Sequence, residues 1–235
     1  MPNLARGIDM FNRIELLIGK DGLNKIRNSK VAVIGLGGVG GYAVTSLIRS
    51  GVEDIVIVDY DKIDITNLNR QIITNLDNIG ELKTDVMEKY ILSINSNCKI
   101  TKINSKLNLS NIDMLFKYEF DYLVDCCDTI LVKQELIKRC LDNNITIISS
   151  MGTGNKLNPM DLEVIDIRKT SYDPIAKKIR KYLRDNRINK KVMVVSSKEK
   201  RDRFDGDIPS MVFVPAVSGI LCANYIIKEI IKKAD

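Results

Sequence analysis

Through the first 150 residues, short β-branched and apolar runs alternate with stretches whose apolar residues recur every three or four positions. Residues 30–34, 54–58, 121–125 and 145–149 are runs of the first kind, as expected of strands buried on both faces. Residues 99–106 also read as a strand. Residues 10–26 predict short amphipathic helices. Residues 39–50 predict a helix closed by Gly51 as its C-cap, and 81–94 and 131–143 predict two more. Strand–helix alternation at this spacing gives right-handed βαβ units and a parallel sheet covered on both faces.

The pattern changes after Met151. Gly152, Gly154 and Pro159 break it, and residues 162–167 resume as a strand. Pro174 opens a basic helix reaching about Asp185. Residues 192–195 and 211–214 read as strands, with Pro215 at the first position of a closing helix over 216–232. That helix presents Ile220, Tyr225, Ile226, Ile230 and Ile231 as its apolar face. The fold expected is α/β: a Rossmann-like, mostly parallel sheet with helices on both faces and a C-terminal extension of mixed strands and helix. The expected organisation is one domain over 1–235. N-terminal helices occupy 1–28, a nucleotide-binding core 29–150 and a substrate-side extension 151–235.

Composition narrows the chemistry. At 45% apolar and 28% charged residues the chain can bury a core and is neither disordered nor fibrous. Five scattered cysteines, none in a C-x-x-C pair, argue against a disulfide scaffold and a structural zinc site. There is no histidine, so a Ser-His-Asp triad, a Cys-His pair and a His-ligated metal are all excluded. No signal peptide is expected from the opening residues. Residues 208–227 carry no charge and are long enough to span a bilayer, but their prolines and polar residues fit a strand and a buried helix better. The reading is a soluble, reduced, cytoplasmic protein with no membrane partner.

Charge adds a further feature. The chain is +6, but residues 176–203 hold twelve Lys/Arg against three acids, a net +9, leaving −3 elsewhere. A block of this kind suits a polyanion by neutralising phosphates and releasing counterions, although a solvated helix face would look the same.

Between the first strand and its helix lies Gly35-Leu-Gly37-Gly38-Val-Gly40, a G-x-G-x-x-G turn. Glycines there permit close backbone approach to a phosphate, and the helix N-terminus supplies donors and a positive dipole. Asp59 ends the second strand, where a carboxylate holds a ribose hydroxyl of NAD or of ATP alike. The polar run after it favours ATP. It contains Asp61, Asn67 and Arg70, and Lys83 follows at the next helix start, so the phosphates meet a clamp and a point charge. Asp128, in Asp125-Cys-Cys-Asp128, falls after a strand, where it can hold Mg²⁺ beside a triphosphate.

These motifs, with the TNLNRQ run of residues 66–71, resemble the ThiF/MoeB/HesA superfamily of ATP-dependent adenylating proteins, related to ubiquitin-activating enzymes. The resemblance runs from Asn12 to the last helix. It implies that Gly35, Gly37, Gly38, Gly40, Asp59 and Asp61 hold ATP, that Asn67, Arg70 and Lys83 address its phosphates, and that Asp128 binds Mg²⁺. It also implies a homodimer in which Arg13 reaches the partner's ATP. Thr129 departs from the asparagine many members have.

The segment Gly152-Thr-Gly154 with Ile165-Asp-Ile-Arg-Lys-Thr170 and Asp173-Pro174 resembles the branch acting on threonylcarbamoyladenosine in the tRNA anticodon loop. That branch implies a tRNA partner for the basic block and ATP-dependent dehydration through an adenylated carboxylate. Two other readings stand beside it. One is a MoeB/ThiF-like activator of a ubiquitin-like sulfur carrier, and the other a non-catalytic nucleotide-binding scaffold. A cooperating sulfur-relay protein is compatible with the branch. The first rival predicts a groove for a Gly-Gly tail, and here there is no cysteine between Cys140 and Cys222.

Overall fold

The computed structural model describes residues 10–200, 206 and 208–232. Seven strands form one sheet in the order β3-β2-β1-β4-β5-β7-β6. They are β1 (Lys30–Ile34), β2 (Asp54–Val58), β3 (Lys99–Ile103), β4 (Tyr122–Asp125), β5 (Thr146–Ser150), β6 (Leu162–Asp166) and β7 (Met193–Ser197). All neighbours are parallel except β6, which runs antiparallel to β7 and pairs Val164 with Val195. Seven helices flank them: α1 (Asn12–Asn28), α2 (Gly40–Arg49), α3 (Lys83–Ile94), α4 (Asp113–Phe116), α5 (Ile130–Asp142), α6 (Pro174–Asp185) and α7 (Phe213–Lys232).

The β-branched runs form strands because both sheet faces are covered. On β1, Val31 and Val33 join one core layer with α2 and α7, while Ala32 and Ile34 join the other with α5 and α6. The short N-terminal helices expected over 10–26 occur as one element, α1, broken at Gly19, whose φ of +79° lies in the left-handed region open to glycine.

The C-terminal expectations need two corrections. Residues 211–214 form no strand: helix α7 already begins at Phe213, and Pro215 is its third residue rather than its first. The run Met-Val-Phe-Val is apolar enough to imitate a strand. Proline tolerates any place in the first helical turn, because its missing N–H would have no partner there. The apolar face of α7 also differs. Ile220 is 45% exposed, and the buried stripe runs through Ser218, Gly219, Cys222, Ala223, Ile226 and Ile230. Small residues set this face because α7 lies close on α2. A Cβ on Gly219 would stand 2.2 Å from the Val39 carbonyl oxygen. By length and composition α7 could cross a membrane, yet half of its apolar window is buried in the fold. The Ser150 and Ser218 hydroxyls, 2.8 Å apart, tie it to β5.

Candidate active site

A cavity of about 320 Å³ opens at the carboxyl ends of β1 and β4. There the strand order reverses, and open α/β sheets bind ligands at such a switch point. Gly35 leaves β1 with φ +87°, and a Cβ on it would meet the Cys126 carbonyl oxygen at 2.9 Å. The backbone of the glycine turn is thereby laid against the end of β4.

Of the residues singled out from sequence, Gly35, Gly37, Gly38, Asp59, Asp61, Asn67, Arg70, Lys83 and Asp128 all line this cavity. Gly40 stands behind it. A Cβ there would fall 1.7 Å from the Gly35 carbonyl oxygen, so this glycine closes helix α2 onto the turn. Arg13 lies outside the cavity, exposed on α1. Of the basic block, Arg201 and Arg203 lie outside the described residues.

Each lining side chain is fixed by its neighbours. The Asp59 carboxylate accepts the Leu36 N–H at 2.6 Å and the Asp61 N–H at 2.8 Å, locking the glycine turn to the end of β2. Lys83 is buried at the start of α3 and donates to Asp61 at 2.9 Å. Asn67 closes a capping box with Asp64, its side-chain oxygen accepting the Asp64 N–H at 3.2 Å. Arg70 donates to the Thr66 carbonyl at 2.8 Å and to the Asn69 side chain at 2.9 Å. Asp128 is exposed, and its carboxylate accepts only the Thr129 hydroxyl, at 3.3 Å, among the described residues.

Two features escaped the sequence reading. Gln71 lines the cavity at 6% exposure, and its Oε1 has no partner among the described residues. A buried unpaired acceptor of this kind calls for a ligand or water. The second is an ion pair under the Asp128 loop. Lys133, 1% exposed on α5, donates to Asp125 at 3.0 Å, to the Ser150 carbonyl at 2.8 Å and to the Ser149 hydroxyl at 3.3 Å. Burial pushes the Lys133 ammonium down most, but the charge and hydrogen bond of Asp125 together with the neighbouring Cys127 and Cys126 outweigh it and hold the group above its ordinary range. Asp125 also accepts the Ser149 hydroxyl and, at 3.1 Å, the Cys127 N–H. The pair therefore shapes the backbone that presents Asp128. Its only sequence signal was a lysine in the first turn of a helix, eight residues after Asp125.

The two cysteines at the cavity are thiols. A hydrogen bond with Cys222 and then burial push Cys126 well above the ordinary thiol range, and burial does the same to Cys127. A thiolate is the nucleophilic form, so neither is prepared for covalent chemistry.

A glycine turn, Arg70, Lys83 and an exposed carboxylate line one cavity at the switch point of the sheet, and the chain belongs to the ThiF family, which it matches over residues 11–235. It is 38% identical to the tRNA threonylcarbamoyladenosine dehydratase of Bacillus subtilis over 246 residues, covering 97% of both chains. The crystal structure of the Escherichia coli tRNA N6-threonylcarbamoyladenosine dehydratase TcdA in complex with ATP superposes with a TM-score of 0.88. That match has 29% identity and covers 94% of this chain and 93% of the other. The adenylyltransferase and sulfurtransferase UBA4 of Saccharomyces cerevisiae is 33% identical over 59% of this chain, which spans 31% of UBA4.

Proposed function

We propose that this chain is an ATP-dependent tRNA threonylcarbamoyladenosine dehydratase. The carrying observation is the cavity, where the glycine turn, Asp59, Arg70, Lys83 and the exposed Asp128 come together in a chain that matches a dehydratase of that name over 97% of both chains.

ATP lies with its phosphates on the glycine turn and its ribose at Asp59. Arg70 and Lys83 stabilise the negative charge of the departing pyrophosphate, and Gln71 Oε1 accepts from the bound substrate. Asp128 suits Mg²⁺: a single free carboxylate is a usual protein share for an ion otherwise held by phosphates and water. When bound, Mg²⁺ supplies charge neutralisation at the phosphates.

The substrate's threonine carboxylate attacks the α-phosphorus, and the bond to pyrophosphate breaks. The carbamoyl group of the same side chain then attacks the acyl carbonyl, and AMP leaves with the carboxylate oxygen. A ring forms with net loss of one water. The second step is intramolecular, gains a large effective molarity and needs no protein nucleophile, in keeping with two protonated cysteines and no histidine. The test is turnover: tRNA-dependent pyrophosphate release supports the reading, and release driven by a carrier protein instead defeats it.

The proposal includes a homodimer that shares sites. Leu16 and Leu17 stand 81% and 83% exposed on α1 beside Arg13, an apolar surface suited to burial against a second copy. Arg13 lies outside its own cavity and reaches the partner's ATP in this arrangement. Arg13→Ala and Asp128→Ala subunits are each expected to be inactive. Random pairing of equal amounts restores about a quarter of the wild-type sites. Mixtures that exchange subunits and stay dead show that Arg13 does not act in trans.

A further inference from the structure

A second depression, of about 460 Å³, lies between α5 and α6. Its walls include Ile130, Leu131 and Gln134 from α5 and Lys178, Lys181 and Tyr182 from α6. It adjoins the nucleotide cavity: Asp128 and Thr129 line that cavity, and Ile130, the next residue, lines this groove. Whatever lies in the groove at its α5 end is therefore led to the Asp128 turn.

The groove has a definite chemistry. Lys178 and Lys181 stand three residues apart on one exposed face of α6, with Cβ atoms about 5–6 Å from each other. That spacing suits adjacent phosphates of an extended strand. Among the described residues Lys178 has no ion-pair partner, while Lys181 pairs with Asp185 near the far end. An exposed pair of this kind is worth little and is readily exchanged for a phosphate. On the facing wall Leu131 is 60% exposed at the first turn of α5, with the half-buried Tyr182 ring across from it. Cations with an apolar and aromatic wall are what unpaired nucleic acid uses, its phosphates taking the charge and a base the apolar contact. A trough between two helices is too narrow for a duplex.

We infer that the α5–α6 groove seats the unpaired anticodon-loop nucleotides beside the modified adenosine, with Lys178 and Lys181 on their phosphates and Leu131 against a base. The inference rests on the dehydratase reading and adds where and how the RNA is held. In this seat the threonylcarbamoyl group passes the Asp128 turn into the nucleotide cavity.

The experiment measures wild-type protein first, with tRNA carrying threonylcarbamoyladenosine. Lys178→Gln/Lys181→Gln is then compared with Lys228→Gln/Lys232→Gln, which removes the same two charges from the end of α7. The groove variant is expected to raise KM for tRNA roughly tenfold and to make the salt dependence of binding shallower by about 1.4, two single-strand contacts. Its kcat at saturating tRNA stays within about twofold, because the chemistry is untouched. The α7 variant leaves KM and slope in place. Leu131→Ala raises KM without changing the slope, since an apolar contact releases no counterion. An unchanged KM and slope in the groove variant, or equal effects from both double variants, overturns the groove. A wild-type protein that neither binds nor converts this tRNA overturns the dehydratase reading itself.

Discussion

Replacing Lys133 with methionine is expected to destabilise the chain by about 3–5 kcal/mol, the usual cost of removing one partner from a buried ion pair. Asp125 is fully buried and its carboxylate faces Lys133 at 3.0 Å, with the Ser149 hydroxyl and the Cys127 N–H as its other partners. Methionine fills the volume but leaves the carboxylate without its counter-charge. Urea denaturation and thermal melting read the change, which for a chain of this length corresponds to a Tm lower by roughly 10 °C. Replacing both partners, Asp125→Leu with Lys133→Met, is expected to regain much of the loss, because neither charge is then stranded. A single variant that loses less than about 1 kcal/mol would show that the pair is not coupled as its geometry requires.

Asp128→Ala is expected to do the opposite: lose function and keep the fold. The side chain is exposed on a loop and meets only Thr129 among the described residues, so the substitution should alter stability by no more than about 0.5 kcal/mol. Under the proposed function it removes the protein's hold on Mg²⁺. Metal-borne charge stabilisation is worth several kcal/mol, which lowers turnover by at least about 10²-fold. Pyrophosphate release at ordinary Mg²⁺ measures this, and wild-type turnover would withdraw the role from Asp128.

The ease of reading this fold from sequence followed burial. β1 and β2 occupy the expected residues 30–34 and 54–58, because strands covered on both faces must be apolar throughout. The antiparallel course of β6 has no such signature, since direction depends on how the chain returns from β5. Helix α7 misled for a related reason. Gly219, Ala223 and Ser218 face the core without being strongly hydrophobic, and close approach to α2 is what they provide. The apolar run over residues 211–214 imitated a strand that does not form.

At the cavity, local motifs were legible because glycine turns and strand-end carboxylates hold fixed places in a βαβ unit. Lys133 was not, for a lysine on a helix ordinarily points to water. Its partners Ser149 and Ser150 lie 16 and 17 residues away, and folding brings them together. Gln71 stood inside a recognised run, but its unpaired oxygen emerges only once neighbouring groups are placed.

The most direct test follows ATP and tRNA together. Purified protein is given ATP, Mg²⁺ and tRNA carrying threonylcarbamoyladenosine, while pyrophosphate is quantified and the nucleoside is weighed by mass spectrometry. The account predicts pyrophosphate and AMP in step with a nucleoside lighter by one water, and neither without the modified tRNA. Pyrophosphate release stimulated by a carrier protein ending in Gly-Gly, with the tRNA nucleoside unchanged, would contradict it.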